Sequence, residues 1–326
     1  MSGLRLLKVV TIAAHGPWAD RENPMSPLRE PLATFQVGHL ERTGHASATG
    51  EQQLSARLAD HRGRIDLPAL GVLFDHLGGI PFQLMNLDTG GFTIQARLSI
   101  SAQGHVGIGE RLTSSAQIAT HDDNYATTSV EIRTSSGTVC CVGTARNVVV
   151  GRSGEPISAD GEAGGDIPDG ADADGIRLPE VIDPKLAGRD TVAEIANGTR
   201  DAGPLVDLLN CRVEIEGSGA DAVLRLRART EDWMGNMFGT MHGGVIATIV
   251  GQAASLAGQV HTAPGQDYSV SDLAVGFYRS PAVHGGEVIA EVVPIKLGRR
   301  IGSFDVTLTA HDGMLLSRGT ADVRYG

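Results

Sequence analysis

Two stretches of this sequence correspond to each other at one constant distance. Residues 236–252 read NMFGTMHGGVIATIVGQ, and residues 60–76 read DHRGRIDLPALGVLFDH. Their landmark positions lie 176 residues apart without an insertion (236 − 60 = 176 and 251 − 75 = 176). A fixed offset over this length indicates an internal duplication, and it predicts two domains of the same architecture.

The composition sets limits on the class of protein. The chain has 326 residues, 41% of them hydrophobic and 20% charged, which is enough for two domains with full cores. The net charge of −11 argues against a nucleic-acid partner, because phosphate binding needs clustered Lys and Arg. No stretch approaches the roughly 20 apolar residues of a membrane span. The three cysteines have no metal-ligand spacing, so we expect core thiols in a cytoplasmic protein.

A change of composition divides the chain. Residues 151–175 are mostly Gly, Asp, Ala, Ser and Pro, with almost no large apolar side chain that could form a core. This composition is typical of a linker. We predict an N-terminal extension (1–32), a first domain (33–150), a Gly/Asp-rich linker (151–177) and a second domain (178–326).

Each half predicts one helix followed by four strands. Residues 244–260 contain no charge and many Val, Ile, Ala and Leu, which indicates a fully buried helix. Residues 68–78 predict its counterpart. Strand-like runs separated by Gly, Pro and Asp-Gly turns follow in both halves. The predicted fold is α+β: two fused domains, each with a buried helix wrapped by an antiparallel sheet.

The motif Asn-x-x-Gly-x-x-His-Gly-Gly that begins at Asn236, with its apolar helix and a later Gly-Arg-Arg turn, resembles a known family. It is similar to hotdog-fold acyl-CoA thioesterases of the phenylacetyl-CoA thioesterase type. The resemblance covers residues 204–326 well and 33–150 more weakly. Family members are usually homodimers with two helices side by side, so it implies a tandem hotdog chain equivalent to a fused dimer. It also implies acyl-CoA as substrate, neither a metal nor an organic cofactor, and a homodimer of tandem chains.

The glycines of the motif predict an oxyanion site. The first N–H groups of a helix have no intrahelical partner and lie at the positive end of its dipole. Gly243 and Gly244 would let a substrate approach that backbone closely. The resemblance implies that the Gly243 N–H is the oxyanion donor and that Asn236 and His242 position it. It places Gly239 and Gly244 in substrate binding.

The family's acid lies nine residues after the motif histidine, on the helix of the opposite subunit. That position is Gly251 in the second half and Asp75 in the first. Asp75 is surrounded by apolar residues, which favours a buried carboxyl with a functional reason to be there. The resemblance makes Asp75 the general base or the nucleophile. It also assigns Thr93, eighteen residues later, to orienting the attacking water.

A basic turn predicts a site for the phosphates of coenzyme A. Arg299 and Arg300 follow Gly298, and guanidinium groups pair with phosphate oxygens in a bidentate manner. The equivalent residues of the first half are Asp123 and Asn124, with Asp122 beside them, and the two carboxylates would repel phosphate. We therefore expect the second half to hold the coenzyme A end of the substrate.

The second pseudo-symmetric site is predicted to be inactive. Pro68 lacks a backbone donor, Asp66 would repel an oxyanion, and Gly251 cannot act as a base. One composite site per chain is the result. Two alternatives remain: a non-catalytic acyl-CoA binding or sensing protein, and a hotdog enoyl-CoA hydratase. The hydratase is disfavoured because no suitable loop has its Asp-x-x-x-x-His spacing.

Overall fold

The structure is a computed structural model that describes residues 30–86, 91–150, 175–217 and 222–326. The predicted extension and linker lie outside these ranges, apart from residues 30–32 and 175–177. The strands are β1 (Val37–Gly44), β2 (Ser47–Gln53), β3 (Phe92–Ala102), β4 (Arg111–His121), β5 (Tyr125–Arg133), β6 (Val139–Val150), β7 (Cys211–Glu216), β8 (Val223–Arg229), β9 (Tyr268–Phe277), β10 (Glu287–Leu297), β11 (Ile301–Ala310) and β12 (Leu315–Tyr325). The α-helices are α1 (Glu30–Thr34), α2 (Gly71–Met85), α3 (Gly188–Ala196), α4 (Pro204–Leu208) and α5 (Gly243–Val260).

All the described strands belong to one antiparallel sheet. Its order is β1-β2-β4-β5-β6-β3-β9-β12-β11-β10-β8-β7, so each half contributes six neighbouring strands. The halves join where β3 pairs with β9, from Arg97 opposite Gly276 to Ser101 opposite Asp272. The predicted fold class, two fused hotdog units with buried helices, is confirmed.

The offset of 176 positions extends to whole elements. Strands β2 and β8 start and end 176 residues apart (223 − 47 and 229 − 53), and so do β4 and β10 (287 − 111 and 297 − 121). The helices differ at their starts. A 3-10 turn, Leu67–Leu70, precedes α2, whereas α5 begins directly at Gly243. The equivalent positions are thus α-helical only in the second half.

The two long helices occupy the core side by side. Helix α2 packs against β1 to β6, and α5 packs against β8 to β12. A Cβ on Gly244 would lie 2.5 Å from the Val72 Cα, and a Cβ on Gly71 would lie 3.0 Å from the Gly244 carbonyl oxygen. Glycine therefore permits backbone contact here, and the N-terminus of α5 lies directly against α2.

The composition of α5 follows from this position. Contrary to the sequence expectation that no stretch approaches a membrane span, this helix is, among the described helices, the one long and apolar enough to cross a bilayer by length and composition. In the structure, 94% of it is buried inside the protein. A helix that is apolar on every side is expected in the core of a protein this size.

Candidate active site

The structure brings Asp75 and the His-Gly-Gly motif together. Asp75 is the fifth residue of α2, and its Oδ2 accepts a hydrogen bond of 2.7 Å from the Gly244 N–H at the start of α5. The same N–H lies 3.0 Å from Nδ1 of His242, which caps the helix. One half of the chain supplies the acid and the other half supplies the helix N-terminus.

The Gly243 backbone touches the acid. A Cβ on Gly243 would lie 2.7 and 2.9 Å from the two Asp75 carboxyl oxygens, so no larger residue fits without moving Asp75. The Gly243 N–H opens α5 and has no acceptor within the described residues. At the positive end of the helix dipole, it is available for a ligand oxygen.

Gly244 has a different place from the one predicted. Its N–H is occupied by Asp75 and His242, and the residue does not line the neighbouring cavity. The substrate-binding prediction for Gly244 is therefore corrected: Gly244 holds the acid and lets the two helices approach.

Burial raises the pKa of Asp75 to about 7, against the opposing effect of the hydrogen bond from Gly244. Its Oδ1 has no hydrogen-bond partner within the described residues. His242 Nδ1 is 3.2 Å from Oδ2, but burial lowers the pKa of His242 to about 4, so this ring is neutral at pH 7. A carboxyl with a pKa near neutrality can both take up and release a proton at physiological pH.

A second histidine lies at the site. The ring of His76 stacks against that of His242, with centroids 6.2 Å apart. Burial, helped by His242, lowers the pKa of His76 to about 3, and its Nε2 has no partner within the described residues. Sequence reasoning missed His76, although it directly follows Asp75 and lies beside a candidate acid.

A cavity of about 360 Å³ adjoins Asp75 and Gly243. Residues of both halves line it, and four carry amide side chains. The amide residues are Gln83, Gln95, Asn147 and Asn236. Aromatic residues of the second half, Phe238, Phe277 and Tyr278, supply apolar surface. This mixture of apolar walls and a few polar groups is usual for small-molecule sites.

The cavity lies in a slit between the two halves. Pairing of β3 with β9 ends at Arg97 and Gly276, and beyond that point residues 93–95 and 277–280 line opposite sides of the cavity. Ile94 and Tyr278 are exposed on the outer surface. The slit therefore connects the outer surface with the buried acid.

Thr93 lines the cavity without touching Asp75. Its N–H and hydroxyl both donate to Gln83 Oε1, at 2.8 and 2.9 Å. The β3 side chain that reaches the acid is Gln95, whose amide donates to the Asp75 carbonyl. Gln95 is two residues beyond Thr93 and thus on the same side of the strand, which is the signal that sequence reasoning missed. The Thr93 oxygen can still accept a hydrogen bond from water.

Asn236 and Gly239 shape the loop before α5. Asn236 lines the cavity, and its Oδ1 accepts from the N–H groups of Phe238 (2.9 Å) and Thr240 (3.2 Å). Gly239 has a φ of +70°, which favours glycine, and it does not line the cavity. The structure shows its part in the loop conformation, and its role in substrate binding stays a prediction.

Arg299 and Arg300 lie at the wrong end of the sheet for this cavity. The Arg300 carbonyl accepts from the N–H of Tyr325, which pairs with Tyr268 at the start of β9. The cavity is at the other end of β9, nine residues further on, which is about 30 Å along a strand. The prediction that these arginines serve this site is corrected.

The acidic turn of the first half is the one near the cavity. The carbonyl of Asn124 accepts from the Val149 N–H, and Val149 pairs with Thr93. The basic turn at Arg299 and Arg300 is remote from the cavity and the acidic turn is near it, so these turns give no support to phosphate binding at this site.

The other pseudo-symmetric position holds a buried arginine beside a smaller cavity of about 180 Å³. Nη2 of Arg62 lies 2.5 Å from Asp60 and 2.8 Å from Asp66, and its guanidinium is 3.8 Å from the Tyr268 ring centroid. At Gly251, which corresponds to Asp75, a Cβ would lie 3.1 Å from the Pro68 ring. Gly251 therefore supplies no carboxyl at the position of Asp75, and the carboxylates present, Asp60 and Asp66, are held by Arg62.

The sequence matches one family in part. Residues 238–317 match the model of the thioesterase superfamily, which is about a quarter of the chain and lies wholly in the second half. No curated protein matches the chain.

Solved structures match over nearly the whole chain. The tesB protein of Mycobacterium avium subs paratuberculosis is 11% identical, with a TM-score of 0.56, covering 92% of this chain and 100% of that one. A protein of unknown function with a hotdog fold from Alicyclobacillus acidocaldarius is 12% identical (TM-score 0.53; 88% and 95% covered). An acyl-ACP thioesterase from Bacteroides thetaiotaomicron is 8% identical (TM-score 0.50; 90% and 99% covered). At these identities the likeness establishes the fold: the chain is a double hotdog whose second half matches the thioesterase superfamily.

Proposed function

We propose that this protein hydrolyses acyl-CoA thioesters at one composite site between its two halves. The observation that carries the proposal is the contact of Asp75, with a pKa of about 7, and the backbone of Gly243, whose N–H is available. The thioesterase-superfamily match over residues 238–317 supports the same chemistry.

The geometry supports a direct route for hydrolysis. The thioester carbonyl oxygen accepts from the Gly243 N–H, and the helix N-terminus stabilises the negative charge that develops on that oxygen. Ionised Asp75 takes a proton from water as the water oxygen bonds to the carbonyl carbon. The carbon–sulfur bond then breaks, and the proton passes from Asp75 to the leaving thiolate. Thr93 supplies an acceptor for the water on the cavity wall.

Asp75 also has a position suited to a nucleophile. Its Oδ1 is without a partner in the described residues, and attack by this oxygen on the carbonyl would release the thiol and leave an acyl anhydride for water to cleave. The two routes differ in the fate of oxygen. Single turnover in H₂¹⁸O labels the product acid when Asp75 is a base. When Asp75 is the nucleophile and water attacks the Asp75 carbonyl carbon of the anhydride, the label enters Asp75 and the product acid leaves with an unlabelled Asp75 oxygen.

One observation favours the non-catalytic alternative. The Thr93 hydroxyl donates to Gln83, and Asp75 Oδ2 already holds the Gly244 N–H, so no side chain in the described structure links the acid to a water position. A protein that binds acyl-CoA without turnover would keep this arrangement.

A panel of acyl-CoA esters with free-thiol detection distinguishes the two functions. The native protein should release thiol, and Asp75→Asn should not. Asp312→Asn, in the exposed turn between β11 and β12, is the matched control and should retain activity. Tight acyl-CoA binding by calorimetry with no thiol release from any ester would establish the binding protein instead.

A further inference from the structure

Arginines of neighbouring strands line up on the outer face of the sheet, beside the slit. Arg97 on β3 lies directly opposite Arg146 on β6, and also opposite Gly276 on β9. Gly276 in turn lies opposite Arg318 on β12. Residues directly opposite in a sheet share a face, and all three arginines are exposed, so they form one row across the junction of the two halves.

Two members of this row have no counter-charge. Neither Arg97 nor Arg146 has an ion pair or a side-chain hydrogen bond within the described part of the chain, whereas Arg318 lies 3.5 Å from Asp305. Like charges directly opposite on adjacent strands destabilise a sheet. An arrangement that lowers stability in the free protein and is relieved by an anion indicates an anion-binding position.

An aromatic ring lies within the same row. A Cβ on Gly276 would lie 3.4 to 3.6 Å from atoms of the Tyr278 ring, so this ring covers Gly276 on the outer face, between Arg97 and Arg318. Tyr278 is 55% exposed. Glycine at position 276 leaves the space in which the ring lies, and an exposed ring flanked by cations is a stacking surface for a nucleobase.

The row is continuous with the cavity. Tyr278 lines the slit that leads to Asp75, and Arg97 lies at the last pair before the strands separate. A ligand with its reacting group at Asp75 and a long flexible arm would therefore emerge beside Tyr278 and the arginines.

We propose, resting on the proposed thioesterase function, that this row binds the 3′-phosphorylated ADP of coenzyme A. Arg97 and Arg146 pair with its phosphates, and Tyr278 stacks on its adenine. The pantetheine arm passes through the slit to place the thioester at Gly243 and Asp75. Guanidinium groups suit phosphate oxygens through paired N–H donors, and the ring accounts for the base.

The test compares substrates with and without the nucleotide. Arg97→Ala/Arg146→Ala should raise KM for an acyl-CoA at least about tenfold, which is about 1.4 kcal/mol, and leave kcat nearly unchanged. The same variant should hydrolyse the corresponding acyl-pantetheine ester as well as the native protein does. Tyr278→Ala should act in the same direction. Arg42→Ala/Arg229→Ala, which removes two exposed arginines elsewhere in the sheet, is the matched control and should change neither substrate.

The outcomes distinguish failure of the nucleotide site from failure of the proposed thioesterase function. If the native protein cleaves both esters and the arginine variant has an unchanged KM, the thioesterase function is retained and the nucleotide site is refuted. A larger loss with an acyl carrier protein than with acyl-CoA would assign the row to a protein carrier and also overturn it. If the native protein cleaves neither ester, calorimetry with coenzyme A still decides: binding abolished in the variant supports the site, and equal binding refutes it.

Discussion

Replacing Asp75 with Asn should remove activity and, at alkaline pH, increase stability. The pKa of Asp75 is raised by burial from 3.8 to about 7, so the folded protein holds its proton more tightly than the unfolded chain. For an acid whose folded pKa is raised, stability falls as pH rises above the unfolded pKa, and the loss is complete above the folded pKa. A shift of this size corresponds to about 4 kcal/mol at high pH.

The pH dependence identifies this contribution. At pH 5 the unfolded carboxyl is already ionised, so about 1.6 kcal/mol of the destabilisation is present there, and about 3 kcal/mol more develops by pH 9. The Asn amide would add its own penalty of about 1–3 kcal/mol if its N–H₂ finds no acceptor, but that penalty does not vary with pH. The stability of Asp75→Asn relative to the native protein should therefore rise by about 3 kcal/mol between pH 5 and pH 9.

Urea unfolding at pH 5, 7 and 9 measures this difference, with linear extrapolation for both proteins. His76 and His242 are present in both, so the part of their titration that does not depend on the Asp75 charge cancels in the comparison. At the same time thiol release should fall by at least about a hundredfold, as expected for the loss of a general base. A stability difference that stays constant across this pH range, or full activity in the folded variant, would refute the reasoning.

Other measurements follow from the same geometry. Native kcat/KM should rise with pH through about 7, because the ionised form of Asp75 takes up the proton; a rate independent of pH between 5 and 9 would contradict this. Gly243→Ala should lose at least about a hundredfold in rate, since its Cβ would displace Asp75, whereas Gly107→Ala, whose Cβ meets nothing within 4 Å, should not. Calorimetry with a non-hydrolysable acyl-CoA analogue should show one site per chain. Two equal sites per chain would show that the position of Arg62 also binds the analogue, which would contradict this prediction. Light scattering should show two chains per particle, and a single chain at micromolar concentration would refute the dimer.

The core helix and the sheet were predictable because their patterns are strong. The charge-free run at 244–260 predicted α5 to within one residue of its observed start, and the strands after each helix followed from alternating burial between turn residues. Strand β8 was missed although its residues Val223–Arg229 alternate between apolar and arginine side chains. This alternation is the usual signal of a half-buried strand.

The end of α2 shows where local signals fail. The predicted helix ended at residue 78, yet the observed helix continues through Pro81 to Met85. Proline removes one backbone hydrogen bond. The buried side chains of Ile80, Phe82 and Leu84 continue the apolar face beyond it, so tertiary packing keeps this last part helical.

The placement of the arginines shows a limit of a different kind. A constant offset states which residues are equivalent in the two halves, and it does not state where they lie relative to one site. The halves meet through antiparallel β3 and β9, so equivalent turns fall at opposite ends of the junction. Arg299 and Arg300 are thus remote from Asp75, whereas Arg97 and Arg146, which we propose bind the nucleotide, lie on the outer face of the first half.

Fusion of the halves allows the two pseudo-symmetric positions to carry different side chains. In a homodimer every position occurs at both sites, so a side chain that fills one site fills the other as well. In this single chain Arg62, Pro68 and Gly251 occur once, at one position only, and Asp75 and Gly243 occur once at the other. The buried Arg62 ion pairs therefore lie at one of these positions, and the slit beside Tyr278 lies at the other.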